Sequence, residues 1–194
     1  MLNRSYIGIL NFLGGISLMN IIETKRLIIR EYSTSDLPEL SVIQSDHITM
    51  NFWPSPFTLQ QTESWVHDNI ERYNKLGFGR WAVILKDNGT LIGDCGIMIR
   101  EIDGKHENDL GYIIHYPYWQ RGFAVEAANA CKEYAFTNLG IKRLCANMPY
   151  NHEASKRVAE KIGMKKETEF YNSRNRNILT YLYSISALFL NKTK

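Results

Sequence analysis

The sequence predicts an α/β fold: one domain with a mixed, mostly antiparallel central sheet flanked by helices. Three observations predict it. Short apolar runs bounded by Gly, Asn, Asp and Pro read as strands, and they are interspersed with longer runs whose apolar positions recur at helical spacing. Two strand-like runs are joined by Asp87-Asn88-Gly89, whose Asn-Gly step marks a hairpin between antiparallel neighbours. Finally, 194 residues with 44% hydrophobic and 22% charged content suit a single domain with a sizeable core.

The elements follow in order. Arg26 to Glu31 alternates as a strand, and Ser35-Asp36 opens a helix that continues to about Gln44. Phe52-Trp53-Pro54-Ser55-Pro56-Phe57 is loop, since its prolines break any regular element. Thr58 starts a second helix, with Trp65, Val66, Ile70 and Tyr73 at helical spacing. Gly79 to Lys86 and Thr90 to Arg100 are the hairpin strands, and the Asn88-Gly89-Thr90 sequon belongs to their turn. Asp103-Gly104-Lys105 is another turn, leading to a strand over Asp109–His115. A helix from Gly122 to Asn138 carries Ala124, Ala127, Ala128, Cys131 and Ala135 on one face, small enough to pack close to a sheet. Lys142 to Met148 is a strand, and Asn151 to Ile162 a helix stopped by Gly163. Strands near Met164–Tyr171 and Asn177–Ile185 complete the pattern.

The run from Leu110 to Ala127 carries the most chemical information. An apolar strand passes through Pro117 into a helix opened by Gly122, where the missing Cβ lets a ligand approach the backbone. The amides of Gln120 to Val125 then converge at a helix start, an arrangement that binds phosphate. The bland alternative is a plain helix start with Gly122 as a turn residue. Neither G-x-x-x-x-G-K-[ST] nor G-x-G-x-x-G is present, which excludes the common nucleotide fingerprints.

The segment Trp119-Gln120-Arg121-Gly122-Phe123-Ala124-Val125-Glu126-Ala127, following Leu110-Gly111-Tyr112, resembles the acetyl-coenzyme A loop of the GNAT superfamily of N-acetyltransferases, and within it the RimJ/RimL branch. Thr24 to Arg30 with Ser35-Asp36, Leu91-Ile92-Gly93, and Asn151 to Met164 resemble further segments of that branch, in order, across roughly residues 21 to 186. The resemblance implies a GNAT fold with a splayed, cofactor-binding strand pair. It implies acetyl-CoA as cofactor, and direct transfer of its acetyl group to a primary amine. The implied acceptor is a protein or peptide N-terminus. Other acceptors are a polyamine, amino acid or aminoglycoside, and a catalytically inactive acyl-CoA-binding module is the rival from another class.

By that resemblance, Gln120, Arg121, Gly122, Phe123, Ala124 and Val125 hold the pyrophosphate, while the main chain of Ile113 and Ile114 meets the pantetheine arm. Arg121 reads equally as solvent-facing. Asn151 is both a helix N-cap and a cofactor contact. Ser155, four residues later, is the acid for the coenzyme A thiolate or a helical serine bonding back to the Asn151 carbonyl. Asp109 stands where the branch has glutamate and is the candidate base. Glu107 shares its face by strand alternation, and either could be a solvated strand-end charge. Tyr134, Tyr150 and Tyr171 are spare proton-transfer candidates. Trp53, Phe57 and Trp81, with Phe52 and Trp65, wall an acceptor pocket or belong to the core. Trp53-Pro54-Ser55-Pro56 is the best acceptor-lining loop.

Composition bounds the rest. A net charge of +3 makes no case for nucleic acid. Cys95, Cys131 and Cys145 form no C-x-x-C pair, which suits a reducing, cytoplasmic setting, and H-E-x-x-H is absent, so no metal is expected. Residues 1–20 read as an N-terminal extension ahead of a domain over 21–186 and a tail over 187–194. Met19 as the start, with residues 1–18 upstream, is favoured over a secretory signal, which lacks a cleavage site. A docked surface helix and a membrane anchor are the other readings, although the apolar run is too short to span a bilayer, and no membrane partner is expected. Monomer and homodimer are both open.

Overall fold

The structure, a computed structural model, describes residues 20–187. The expected N-terminal extension and C-terminal tail fall almost wholly outside the described residues. The elements are β1 (Asn20–Glu23), β2 (Leu27–Arg30), α1 (Leu37–Ser45), α2 (Leu59–Leu76), β3 (Arg80–Leu85), β4 (Leu91–Ile102), β5 (Lys105–Ile114), α3 (Phe123–Thr137), β6 (Arg143–Pro149), α4 (Glu153–Lys161), β7 (Lys165–Asn172) and β8 (Ile178–Ser186). They build one mixed sheet in the order β1-β2-β3-β4-β5-β6-β8-β7, antiparallel throughout except between β5 and β6.

Local chemistry explains the element ends. Thr58 caps α2 with a reciprocal box: its Oγ1 accepts from Gln61 N–H at 3.2 Å, and Gln61 Oε1 accepts from Thr58 N–H at 2.8 Å. At the end of α4 the Gly163 N–H donates to Glu160 O and the Met164 N–H to Ala159 O, which turns the chain into β7. β1 went unrecognised in the sequence because its four residues, Asn-Ile-Ile-Glu, are too short to show a period. β5 begins at Lys105 instead of Asp109, because β4 and β5 pair continuously from Gly93↔Ile114 to Ile102↔Lys105. Asp109 is therefore a mid-strand residue.

Both faces of the sheet are covered. Trp65 of α2 donates its indole N–H to Asp94 of β4 on one side. On the other, Tyr134 of α3 packs edge-on against Trp81 of β3. This is why β3 reads Arg-Trp-Ala-Val-Ile-Leu, buried at every position instead of alternating. The small residues Ala127, Ala128, Cys131 and Ala135 of α3 are all buried, as their spacing predicts.

Candidate functional site

β5 and β6 are paired in register only at Asp109↔Cys145. Beyond that point the two strands part, leaving residues 110–114 and 146–149 on either side of a gap. A Cβ on Gly93 would overlap the Ile113 carbonyl oxygen, and His115 N–H donates to Ile92 O at 2.8 Å, so Ile113 and His115 turn their main chain toward β4. Alternation then directs the main chain of Tyr112 and Ile114 into the gap. Of the two expected residues, only Ile114 offers main chain there, and its carbonyl already accepts the Trp119 indole N–H at 2.5 Å. Ile113 is corrected to a β4-facing position, and it is Tyr112 whose main chain faces the gap beside Ile114.

The phosphate loop follows directly. Gln120 (φ 60°) and Gly122 (φ 81°) both lie in the left-handed region on either side of Arg121, and α3 starts at Phe123. Such alternation turns successive amides inward into an anion-binding concavity, continued by the first N–H groups of the helix. Phe123 is buried, and Ala124 and Val125 stand in the first turn. A long-range brace holds the loop. Arg26 donates through Nη1 to Arg121 O (2.8 Å) and through Nε to Glu126 Oε2 (2.6 Å), and its guanidinium lies 4.3 Å from the Phe123 ring centre. Glu126 also accepts from Arg26 N–H and Thr24 Oγ1, and these bonds hold its carboxyl below the usual range against the opposing effect of burial. Arg121 is exposed, with its guanidinium over Tyr118 and Phe123.

On the α3–α4 side of the gap, Tyr112 Oη lies 2.9 Å from Ser155 Oγ and 3.0 Å from Ser155 O. Burial pushes the Tyr112 hydroxyl well up, so it stays protonated. Ser155 thus bonds to Tyr112 and not back to Asn151. Asn151 is not the cap of α4: that position belongs to His152, because the chain first turns through the His152 N–H→Pro149 O bond. The exposed Asn151 side chain instead faces a cleft shared with Asn51 and Phe52. His152 stacks on Phe52 at 3.7 Å with the rings 9° apart, its Nδ1 is buried without a partner, and burial holds its pKa down to about 4.

Asp109 lies on the opposite face of β5. Its Oδ1 accepts from Asn147 Nδ2 at 3.0 Å, and Arg100 Nε is 3.6 Å from Oδ2. Burial lifts its carboxyl above the ordinary aspartate value, against the pull of Arg100 and Arg80. The Arg80 guanidinium occupies the space a Cβ on Gly111 would need, and it pairs with Asp94, which also accepts from Tyr32 (3.0 Å) and Trp65 (3.1 Å). Glu107 does not join the candidate site. It precedes the point where the strands part and is gripped by Arg143 (3.1 and 3.2 Å), which also binds Glu167. This pairing is a clamp between strands, and Glu107 is corrected to a structural role.

The acceptor-side aromatics divide. Trp53, Phe57 and Trp65 form a T-shaped cluster with ring centres 5.4–6.1 Å apart on the α2 face. Trp81 is 0% exposed beneath α3, so it belongs to the core and walls no pocket. Sequence reading missed Tyr112, Arg26, Asn147 and His152 as site residues. Tyr112 had a usable signal, standing two residues before Ile114 and so on its face of the strand. Arg26 had none, because its partner Glu126 is 100 residues away.

The concavity suits phosphates, and the gap suits a thin extended arm whose polar groups pair with strand main chain. A family profile described as an acetyltransferase (GNAT) domain matches residues 26–165. YnaD of Bacillus subtilis (strain 168), an uncharacterized N-acetyltransferase, is 33% identical over 154 residues, 77% of this chain and 85% of its own length. A GNAT-family acetyltransferase structure from Bacillus anthracis superposes with a TM-score of 0.72 at 30% identity, covering 85% of this chain and 97% of that one. RimL, a ribosomal α-N-protein acetyltransferase, shares the fold with a TM-score of 0.75 at 16% identity, over 91% of this chain and 99% of its own.

Proposed function

The chain belongs to the GNAT family of acetyltransferases, enzymes that draw on acetyl-CoA, and on that premise we propose that it transfers the acetyl group directly to the primary amine of a protein or peptide N-terminus, as in the RimJ/RimL branch. One observation carries the reading: where β5 and β6 part, a serine–tyrosine pair stands on one face and a buried carboxylate on the other. When bound, acetyl-CoA supplies an acetyl thioester. The amides of residues 120–125 and Arg121 would hold its pyrophosphate, and the main chain of Tyr112 and Ile114 its pantetheine arm.

Asp109 is the base. Its raised affinity for protons suits removal of one from the attacking amine, and Asn147 fixes the carboxylate plane. As an aspartate it is one methylene shorter than the glutamate usual in the branch, so a bridging water completes its reach. Ser155 Oγ gives a proton to the departing sulfur, and the Tyr112 hydroxyl bonded to it holds Oγ in place. No cysteine of the chain takes part. Cys95, Cys131 and Cys145 are buried, and burial pushes the Cys131 and Cys145 thiols up, away from the reactive thiolate.

The test is a panel of peptide N-termini, polyamines, amino acids and aminoglycosides incubated with acetyl-CoA and read by product mass. Acetylation of peptide N-termini is expected. Transfer confined to small amines would replace the N-terminal reading with the small-molecule one.

A further inference from the structure

The segment between α1 and α2 bridges the open end of the β5–β6 gap. Past β5, Tyr116 N–H donates to Thr49 Oγ1 at 3.1 Å. Past β6, the Phe52 ring stacks on His152, and the Phe52 carbonyl accepts from Asn175 Nδ2 at 2.9 Å in the turn between β7 and β8. At that bridge lies a cleft of about 400 Å³ lined by Asn51, Phe52, Asn151, Arg176 and Ile178. Its walls come from three separate parts of the chain, tied together by the two Phe52 contacts.

The lining is chemically one-sided: a guanidinium and two carboxamides, with no carboxylate. Arg176 has no ion-pair partner among the described residues. Its only side-chain hydrogen bond among the described residues runs from Nε to Asn175 Oδ1 at 3.4 Å, a weak one. The side chains of Asn51 and Asn151 make no hydrogen bond among the described residues. Arg176 and Asn177 are both left-handed, at φ 53° and 52°, as the two central residues of a tight hairpin turn closed by the Ile178 N–H→Asn175 O bond at the cleft edge.

We propose that this cleft is an acceptor subsite for a carboxylate. The acceptor then carries an anionic carboxylate close to the amine that is acetylated. The inference rests on the N-acetyltransferase reading above and narrows its substrate class. A guanidinium fork matches the two carboxylate oxygens, and the carboxamide N–H groups of Asn51 and Asn151 supply further donors. Two sources share this chemistry: an acidic side chain next to a peptide N-terminus, and the α-carboxylate of a free amino acid.

Calorimetric binding to the full chain loaded with coenzyme A distinguishes them. The probes are two matched pairs: a peptide beginning Ser-Asp against one beginning Ser-Asn, and alanine against alaninamide. The carboxylate member of at least one pair is expected to bind about tenfold or more tightly, as a charge-assisted contact provides. Preference within the peptide pair assigns the acidic side chain, and preference within the amino-acid pair assigns the α-carboxylate. Arg176→Asn keeps a residue that tolerates the left-handed backbone while removing the charge, and it should abolish the preference. Equal binding within both pairs, or a preference that survives Arg176→Asn, overturns the inference. Product mass in parallel samples supplied with acetyl-CoA tests the transfer reading separately: selective binding without acetylation would uphold the carboxylate subsite and count against the amine acceptor.

Discussion

Tyr112 on β5 and Ser155 on α4 share a hydrogen bond of 2.9 Å across the mouth of the parted strands. The strand and helix therefore hold one hydroxyl pair on the side of the gap opposite Asp109. If Ser155 protonates the leaving sulfur, Ser155→Ala lowers kcat by roughly a hundredfold or more, the usual scale of general acid catalysis. Tyr112→Phe, which loosens the serine without removing it, costs less. Steady-state kinetics with thermal melts check this. A large stability loss with unchanged kcat would mean that the pair only packs.

Asp109→Asn is expected to reduce kcat by about a hundredfold or more while leaving acetyl-CoA binding unchanged. Because burial raises the folded-state affinity of Asp109 for protons, its ionised form opposes folding. The stability that its protonated form contributes is present below the unfolded aspartate value and is lost as pH rises through the folded one. Neutral asparagine should thus be stable at pH 7. In the wild type, activity should rise with pH along an acid limb displaced above the ordinary aspartate value, and a kcat/KM profile of the two proteins reads it.

Gly122→Val forces a β-branched residue into a φ of 81°, where the left-handed conformation costs about 1–2 kcal/mol or more. The loop amides then turn away, and coenzyme A affinity should fall tenfold or more by calorimetry. Arg26→Met removes the brace on Arg121 O and Glu126, and it should weaken the same affinity without touching the acceptor KM.

His152 makes stability depend on acid pH. Above pH 6.5 it is neutral in both folded and unfolded chains. Between 6.5 and about 4 the unfolded chain takes up a proton that the buried ring refuses, so stability falls across that window by up to roughly 3 kcal/mol. His152→Phe keeps the stack on Phe52 and should flatten this part of the curve in urea titrations at several pH values.

Acetyl-CoA at about a hundred times its dissociation constant should stabilise the chain by about 2.7 kcal/mol, visible as a rise in Tm that ATP does not reproduce.

Short-range chemistry was readable in the linear chain. Thr58 with Gln61, the Asn88-Gly89 hairpin, Gly122 ahead of α3 and Gly163 after α4 each act within a few residues, so local spacing determined these element ends and the glycine turn ahead of α3. It also misled in places: alternation placed Glu107 beside Asp109 but could not reveal Arg143, and aromatic spacing could not tell the core Trp81 from the clustered Trp53 and Phe57.

The sequence by itself thus determined the α/β class, the order of the elements after β1 and the left-handed glycine turn ahead of α3. Only the tertiary structure decided which side chains meet at the gap. Tyr112 and Ser155 are 43 residues apart, Asp109 and Asn147 are 38, and Arg26 and Glu126 are 100. The physical reason is that backbone conformation is chosen by neighbours a few residues away. The partner of a buried polar group is chosen by whichever donor the closed sheet brings within 3 Å, and nothing in the intervening residues encodes that choice.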